Sequence, residues 1–311
     1  MFDALSKTFF HTLAASSTLE RLASRYGMAK RESFARRFVA GDTVREAIEA
    51  ARELQARGML LTLDQLGESV SSLDEADAAS RVYLQTIAAI VASGIERNIS
   101  LKLSQLGLNL DRAVCTDNLR RILMPAARER FFVRVDMEDS PTVQTTLDIV
   151  ATLWDQDFHN IGVVLQSALY RSEDDLRRMN EKGVRVRLVK GAYKEPRAVA
   201  YQKKADVDAA YARLMERLLA EGTYPALATH DPELIERAKR FAAARGIGAD
   251  RFEFQMLYGV RRDLQSALVA EGYRVRVYVP FGTHWFPYYM RRLGERPANV
   301  AFVLKSLLKE R

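Results

Sequence analysis

Short apolar runs alternate with longer helical patterns through most of this 311-residue chain, and this alternation restricts the fold more than any other feature. Eight runs are typical of strands, at residues 59–63, 99–103, 131–135, 161–165, 184–189, 226–229, 252–254 and 275–279. A helical pattern follows each run, at 75–93, 117–128, 141–154, 173–182, 198–221, 232–244, 261–271 and 284–293. Strand–helix alternation implies a parallel sheet, and eight units imply its closure, so the sequence predicts an α/β fold, a (βα)8 barrel. An open doubly wound sheet is disfavoured because no Gly-x-Gly-x-x-Gly turn follows the first strand.

The two ends of the chain lie outside this alternation. Residues 1–57 show only helical spacing and are predicted to form an N-terminal helical segment, with the barrel over 58–311. A last helical pattern at 300–308 is expected to cap the barrel. Near the start, Leu5, Phe9 and Leu13 form an apolar stripe. Packing within the protein is the favoured interpretation of this stripe, and docking to a membrane surface is the alternative.

Composition excludes several classes of protein. Apolar residues make up 48% of the chain, which is enough for a large core. The formal charge of +7 is spread along the sequence without a nucleic-acid-binding motif, so no nucleic-acid partner is expected. Cys115 is the single cysteine, which excludes an internal disulfide and suits a reducing compartment. No apolar run reaches membrane-spanning length and no signal-peptide core is present, so the sequence predicts a soluble, cytoplasmic protein.

The C-terminal ends of the predicted strands carry mostly polar or aromatic residues. In (βα)8 barrels the active site is built from these ends. The residues there are Asp64, Glu68, Lys102, Asp136, Met137, Gln166, Arg187, Lys190, Gly191, Ala192, Tyr193, Thr229, His230, Gln255, Leu257 and Tyr278. Each one alone has an ordinary structural explanation, but their coincidence at eight ends favours a ligand site. Gly191 would let the backbone approach a ligand closely, and Lys190 with Arg187 could neutralise a phosphate. The histidines are isolated, so no metal site is predicted.

Two adjacent arginines follow the eighth strand. Arg291 and Arg292 lie in the last predicted barrel helix, three and four residues after Tyr288, and Glu295 can reach either of them on one helical face. Paired guanidinium groups beside aromatic surface are well suited to binding a small carboxylate. Most Arg-Arg pairs are solvated surface, which is the alternative. Their place after the eighth strand predicts a helix that lies over the strand ends and clamps a carboxylate.

Seven motifs in order identify a resemblance that covers about residues 60–299. They are Leu-Asp-Gln-Leu-Gly-Glu at 63–68, Ser-Leu-Lys-Leu-Ser-Gln-Leu-Gly at 100–107, Arg-Val-Asp-Met-Glu at 134–138, Arg-Leu-Val-Lys-Gly-Ala-Tyr at 187–193, Ala-Thr-His-Asp at 228–231, Phe-Gln-Met-Leu-Tyr-Gly at 254–259, and Tyr-Tyr-Met-Arg-Arg-Leu-Gly-Glu-Arg-Pro-Ala-Asn at 288–299. The chain resembles the proline dehydrogenase family, in its small monofunctional microbial form and in the corresponding domain of bifunctional proline utilization proteins. Tyr258 stands where members of the family commonly have His, and no change of chemistry is expected from it.

The resemblance implies a distorted, TIM-like (βα)8 barrel that holds FAD over the strand ends, with the last barrel helix above the substrate. It implies that Arg291, Arg292 and Lys102 bind the carboxylate of L-proline. The other implied substrate contacts are Leu257, Tyr278, Tyr288, Glu295 and Glu68, where Glu68 pairs with Arg291 and Glu295 holds either the arginines or the substrate amine. The implied catalytic residues are Asp136, which supports Lys102 or the amine, and Arg187 beside the flavin. The implied FAD contacts are Met137, Gln166, Arg187, Lys190, Gly191, Ala192, Thr229 and His230.

The implied reaction is oxidation of L-proline to 1-pyrroline-5-carboxylate, in which a hydride moves to the flavin and electrons pass on to a membrane quinone. Transient peripheral contact with the inner face of the membrane is therefore expected, and no residue stands out as the base for the proline amine. Two alternatives remain open on the residues alone. Lysines at strand ends, Lys102 and Lys190, also suit a Schiff-base aldolase. A non-catalytic barrel that binds anions or nucleic acid through its basic surface is the other alternative.

Overall fold

Eight parallel strands close into a barrel in the computed structural model, which describes residues 33–67 and 69–295. The strands are β1 (Leu60–Gln65), β2 (Asn98–Lys102), β3 (Phe132–Asp136), β4 (Ile161–Gln166), β5 (Arg185–Val189), β6 (Ala226–Ala228), β7 (Glu253–Leu257) and β8 (Val275–Phe281). Each strand pairs in parallel with the next one in the sequence, and β8 pairs with β1. The predicted (βα)8 barrel is therefore confirmed, and the open doubly wound sheet is excluded.

Helices alternate with these strands. In the described ranges they are α1 (Val44–Gln55), α2 (Leu73–Ser93), α3 (Arg112–Arg128), α4 (Ser140–Trp154), α5 (Ser172–Lys182), α6 (Lys204–Glu221), α7 (Pro232–Ala244), α8 (Arg262–Ala270) and α9 (Trp285–Glu295), with 3₁₀ turns at Phe34–Arg37 and Leu103–Leu106. The expectations for residues 1–32 and for the helix at 300–308 lie outside the described residues. No helix in the described ranges is long and apolar enough to span a lipid bilayer.

Two helices begin five or more residues away from their predicted starts. The start of α3 is five residues earlier, because the Asp111 carboxylate accepts hydrogen bonds from the backbone N–H groups of Ala113 and Val114 and so caps the helix at that point. The helix predicted to begin at residue 198 begins instead at Lys204. Residues 190–203 form a loop, tied down where Ala200 forms a backbone bridge with Leu169. The loop therefore comes directly after β5, at the edge where ligands bind in such barrels.

Helix α1 takes the outer position between the last strand and the first. It packs against β8 and β1, on the outside of the barrel. Its N-terminus is closed by a capping box, in which the Thr43 hydroxyl accepts from the N–H of Glu46 and the Glu46 carboxylate accepts from the N–H of Thr43. Because α1 occupies the place beside β8 and β1, helix α9, which follows β8, packs at another part of the barrel. The predicted boundary between an N-terminal segment and the barrel at residue 57 stays a prediction.

The strands alternate between apolar and polar side chains. One set, which includes Leu61, Leu63, Ile99, Leu101, Val133, Val135, Val186, Leu188, Val275, Val277 and Val279, is buried in the main hydrophobic core. The alternate residues reach one another across the barrel. Arg187 of β5 donates a hydrogen bond to Ser100 of β2, three strands away, so these side chains point into the barrel interior. The barrel is thus filled by polar side chains where branched aliphatic layers are usual.

Ion pairs fill the N-terminal half of the barrel interior. Arg276 of β8 donates to both carboxylate oxygens of Glu253 on β7, at 2.7 and 2.9 Å, and to Glu96 at 2.7 Å. Arg134 of β3 donates to the carbonyl oxygens of Val163 and Arg185. A Cβ on Gly162 would lie 2.6 Å from the carbonyl oxygen of Arg185 and 2.8 Å from Nη1 of Arg134, so glycine leaves room for the hydrogen bond between them. This network was not predicted from the sequence.

Helix α9 packs in a second apolar cluster, separate from the main core. The cluster contains Ala35, Phe38, Val39, Leu66, Trp285, Phe286, Tyr288, Tyr289 and Met290, all buried, with Val260 and Tyr278 packed against it. Leu66 follows β1 directly and its N–H donates to the carbonyl of Phe281 at the end of β8. Helix α9 therefore lies over the C-terminal ends of β1 and β8, as the sequence predicted.

Candidate active site at the C-terminal ends of the strands

Asp136, the last residue of β3, is the centre of a hydrogen-bonded group at this edge. One carboxylate oxygen accepts from Nη1 of Arg187 at 2.7 Å. The other accepts from the hydroxyl of Tyr278 at 3.0 Å. The Arg187 guanidinium also lies 5.5 Å from the centre of the Tyr278 ring, within the range of a cation–π contact. Three residues predicted from separate strands are thus joined in one group. Burial raises the pKa of Tyr278, so its hydroxyl keeps its proton and remains a donor.

Lys102 lies between two carboxylates. Its ammonium nitrogen is 3.6 Å from Asp64 and 3.8 Å from Asp136. Asp64 is fully buried, and burial raises the pKa of its carboxyl against the opposing effect of Lys102. Asp64 stood among the polar strand ends in the sequence, but its contact with Lys102 was not predicted. The Lys102 ammonium group thus links the carboxyl groups of Asp64 and Asp136 at this edge.

Ser100, which binds Arg187, and its neighbour Thr62 were missed by the sequence reasoning. The Ser100 hydroxyl accepts from Nη2 of Arg187 at 3.0 Å, and it lies 3.3 Å from the hydroxyl of Thr62. Both hydroxyl residues are fully buried. A signal for them exists in the sequence, because they occupy the polar positions of strands that alternate in period two. Asp136 and Ser100 together restrict the Arg187 guanidinium from two sides.

The ends of β4 and β5 form a close backbone approach. Gln166, buried at the end of β4, donates to the carbonyl of Glu138 at 2.7 Å. Gly191 has a φ of +115°, and a Cβ there would lie 3.0 Å from the side-chain oxygen of Gln166. Ala192 is exposed, and Met137 is buried in the main core. Gly191 therefore meets both conditions under which only glycine serves, a left-handed backbone and a filled space.

Lys190 joins the loop after β5 to helix α6 and to the N-terminus of α7. Its ammonium group lies 2.6 Å from Asp208 on α6 and 3.0 Å from Asp231, the N-cap residue of α7. Two carboxylates thus lie beside Lys190, the residue that the sequence analysis suggested could neutralise a phosphate. That role of Lys190 stays a prediction. The Thr229 hydroxyl accepts from the N–H of Asp231 at 3.1 Å.

His230 joins the end of β6 to the end of β7. Its Nε2 accepts a hydrogen bond from the backbone N–H of Leu257 at 2.9 Å. Acceptance at Nε2 requires the neutral ring with its proton on Nδ1. Leu257 is half-buried and pairs in register with Tyr278 of β8. This hydrogen bond fixes the distance between His230, a predicted cofactor contact, and Leu257, a predicted substrate contact.

The paired arginines of α9 differ in their burial. Arg292 is buried, with its guanidinium 5.2 Å from the centre of the Tyr288 ring, whereas Arg291 is half-buried. Tyr278 links this helix to the strand ends, because its ring packs against the α9 cluster while its hydroxyl binds Asp136. Glu68 and the side chain of Glu295 lie outside the described residues, so their predicted roles stay predictions.

A closed barrel with a buried group of arginine, lysine and aspartate at its strand ends, covered by a helix that carries two arginines, is the arrangement of an enzyme of the (βα)8 class. The family model described as proline dehydrogenase matches residues 47–305. Proline dehydrogenase 1 of Bacillus subtilis is 43% identical over 97% of this chain and 98% of its own length. Proline dehydrogenase of Deinococcus radiodurans is 43% identical over 99% of this chain and all of its own length.

A solved structure also matches. It is proline utilization A of Bdellovibrio bacteriovorus, inactivated by N-propargylglycine, with a TM-score of 0.78 and 26% identity over 84% of this chain and 32% of that one. The chain belongs to the proline dehydrogenase family of oxidoreductases, which act on proline in its catabolism.

Proposed function

We propose that the chain oxidises L-proline to 1-pyrroline-5-carboxylate with FAD, as the first step of proline breakdown to glutamate. A quinone of the membrane takes the electrons from the reduced flavin, through transient contact with the membrane surface. The observation that carries the proposal is the buried group of Asp136, Arg187, Tyr278 and Lys102 beneath α9. It offers fixed positive charge and hydrogen-bond donors at the edge where a barrel enzyme binds its ligands.

The residues at this edge fit a flavin. Nε of Arg187 is buried and has no hydrogen-bond partner among the described residues, so it is a donor available to a cofactor atom. Gly191 and Ala192 are exposed after β5, and a Cβ at Gly191 would meet the side chains of Gln166 and Ala168. When bound, FAD supplies the acceptor for the hydride that leaves C5 of proline. Met137, Gln166, Lys190, Thr229 and His230 are the further residues proposed to hold it.

The protein's own residues bind and orient the substrate. Arg291, Arg292 and Lys102 hold the proline carboxylate, and Tyr278 with Leu257 walls the ring. Tyr288 carries the Arg292 guanidinium on its face. Asp136 orients Arg187 and Tyr278 by accepting a hydrogen bond from each. The cationic Arg187 favours negative charge that develops beside it during the reaction. Such orientation removes several kcal/mol from the barrier of a two-reactant step.

The aldolase alternative is weakened by the surroundings of Lys102. Schiff-base formation needs a neutral amine, which apolar burial or a neighbouring cation favours. Lys102 has a carboxylate on each side instead, at 3.6 and 3.8 Å. Two carboxylates favour the ammonium ion, which is not a nucleophile. Lys190 is ion-paired to Asp208 and Asp231 in the same manner.

One experiment tests the proposed reaction directly. The purified protein is expected to be yellow, and proline added without oxygen should bleach the flavin absorbance, with a quinone then restoring it. L-Alanine, a carboxylate without the ring, serves as the control substrate and should leave the flavin oxidised. A colourless protein that binds no added FAD, or a flavin that proline does not reduce, would contradict the proposal. Borohydride trapping of a carbonyl substrate on lysine would support the aldolase instead.

Ser100→Ala is expected to slow flavin reduction about tenfold while leaving the KM for proline nearly unchanged, because Arg187 loses a hydrogen bond worth about 1.5 kcal/mol. The absorbance spectrum and reduction potential of the bound flavin should shift as well. Thr62→Val is the matched control, since it removes the neighbouring hydroxyl and leaves the Ser100–Arg187 bond in place. Equal effects of the two substitutions would show that general packing, not the bond to Arg187, is responsible.

A further inference from the structure

Residues 33–41, here called the brace, supply the surface on which α9 lies. Ala35, Phe38 and Val39 of the brace are buried in the second apolar cluster together with the aromatic residues of α9. The Phe38 ring lies 6.2 Å from that of Tyr289, centre to centre. Because this cluster is separate from the main barrel core, the position of α9 depends on the brace as well as on the strand ends beneath it.

The brace is attached to the barrel by backbone bonds at the end of β8. The N–H of Ala40 donates to the carbonyl of Pro280 at 2.8 Å, and the N–H of Gly282 donates to the carbonyl of Gly41 at 2.9 Å. An ion pair of 2.6 Å between Arg36 and Glu46 ties the brace to the start of α1. These bonds hold its C-terminal part beside the chain that leads into α9.

Gly259 is the position where the brace crosses the barrel edge. It ends the Phe-Gln-Met-Leu-Tyr-Gly motif after β7 and has a φ of +73°. A Cβ on Gly259 would overlap the carbonyl oxygen of Arg37. That oxygen belongs to the backbone, which cannot rotate away as a side chain can. Any side chain at residue 259 would therefore have to displace the brace itself.

We propose that the brace sets the position of α9 over the substrate, and that Gly259 is a positioning residue that keeps the brace in place. Displacement of the Arg37 backbone moves Phe38, its neighbour, and so removes support from Tyr289, two and three residues before Arg291 and Arg292. The affinity for proline, and not the hydride step, is then what Gly259 controls. This inference rests on the proposed function of the two arginines as the carboxylate clamp.

The test compares Gly259→Ala with Gly272→Ala. Gly272 also has a positive φ, of +87°, but a Cβ there meets no atom within 4 Å. Both variants therefore carry the same kind of backbone strain, and only the first displaces the brace. Gly259→Ala is expected to raise the KM for proline roughly tenfold, equivalent to about 1.4 kcal/mol, with kcat and flavin content close to those of Gly272→Ala. Amide hydrogen exchange in 285–295 should also rise in Gly259→Ala alone.

Two outcomes separate support of α9 by the brace from substrate binding by the two arginines, and a second variant covers a failure of the first to fold. Matching KM values and matching exchange in the two glycine variants would overturn the inference. If Gly259→Ala does not fold, Phe38→Leu takes its place, because it removes the ring that packs against Tyr289 while keeping the cluster apolar. It should raise KM without lowering kcat. A third possibility is that exchange in 285–295 rises while KM stays unchanged in every variant, including substitutions of Arg291 and Arg292. In that case the two arginines do not bind the proline carboxylate, but the brace does support α9.

Discussion

Arg292→Met is expected to raise the KM for proline by roughly 100-fold, since a charge-assisted hydrogen bond to a carboxylate contributes about 1.5–3 kcal/mol. Arg292 is the buried member of the pair, so water cannot replace the lost contact as it could at a surface site. Methionine keeps an unbranched apolar stem against the Tyr288 ring, which limits the loss of packing. Arg291→Met should act in the same direction, with a smaller effect because Arg291 is half-buried.

Steady-state kinetics with varied proline measures this effect, and flavin absorbance in the same samples shows whether the cofactor site is intact. Arg213→Met is the matched control, because Arg213 lies exposed on α6, away from the strand ends. Its proline kinetics should equal those of the unaltered enzyme. If Arg291→Met and Arg292→Met also leave the kinetics unchanged, the two arginines do not bind the substrate carboxylate.

Arg276→Met is expected to cost about 3–5 kcal/mol in the free energy of unfolding, because removing one partner of a buried ion pair leaves the other charge uncompensated. Arg276 binds Glu253 through two hydrogen bonds inside the barrel and also binds Glu96 and the carbonyl of Leu61. Methionine fills much of the same space but satisfies none of these oxygens. Denaturant titration of the flavin-loaded protein measures the loss.

The loss should depend on pH in a defined direction. Burial works to raise the pKa of Glu253, but the charge and hydrogen bonds of Arg276 outweigh it and hold this pKa below its ordinary value of 4.5. The stability from such a group is complete above the unfolded-state pKa and is lost as pH falls through the folded-state pKa. The difference in stability between the two proteins should therefore be largest above about pH 4.5 and shrink below it.

The double variant Arg276→Met with Glu253→Gln distinguishes the effect of the unpaired Glu253 charge on stability from the effect of lost packing. It removes the carboxylate that the single substitution leaves unpaired, and it should recover part of the lost stability. A difference in stability that is independent of pH would contradict this account. So would a double variant that is less stable than the unaltered protein by the full sum of the two single losses. A control at the surface is Arg177→Met, whose ion pair with Asp174 is exposed and should contribute less than about 1 kcal/mol.

Much of the barrel could be predicted because its main signal is local. The period of apolar residues places a strand or a helix from a dozen neighbouring positions, and all eight predicted helices reappear with at least one end within about two residues. Strand β7 was placed at 252–254 but runs over Glu253–Leu257, because its interior face carries Glu253 and Gln255 and so breaks the continuous apolar run. Errors of this kind occur where one face of a strand is polar.

For the candidate site, too, the sequence predicted the residues but not the contacts between them. Asp136, Arg187 and Tyr278 could be chosen from the sequence because each lies in or at the end of a strand and the fold brings such residues to one edge. The hydrogen bonds that these residues form could not be predicted from the sequence. Arg187 and its partner Ser100 are 87 positions apart, and Tyr278 and Asp136 are 142 apart, so only closure of the barrel decides which side chains meet.

The sequence by itself determined the class of fold, the edge that carries the site and the family, since periodicity and short motifs are properties of neighbouring residues. The tertiary structure alone decided the partners: the ion pairs inside the barrel, the two carboxylates around Lys102, and the packing of α9 on the brace. Gly259 shows the reason. Its motif is visible in the sequence, but the carbonyl that excludes a side chain there belongs to Arg37, which closure of the barrel brings to it from far along the chain.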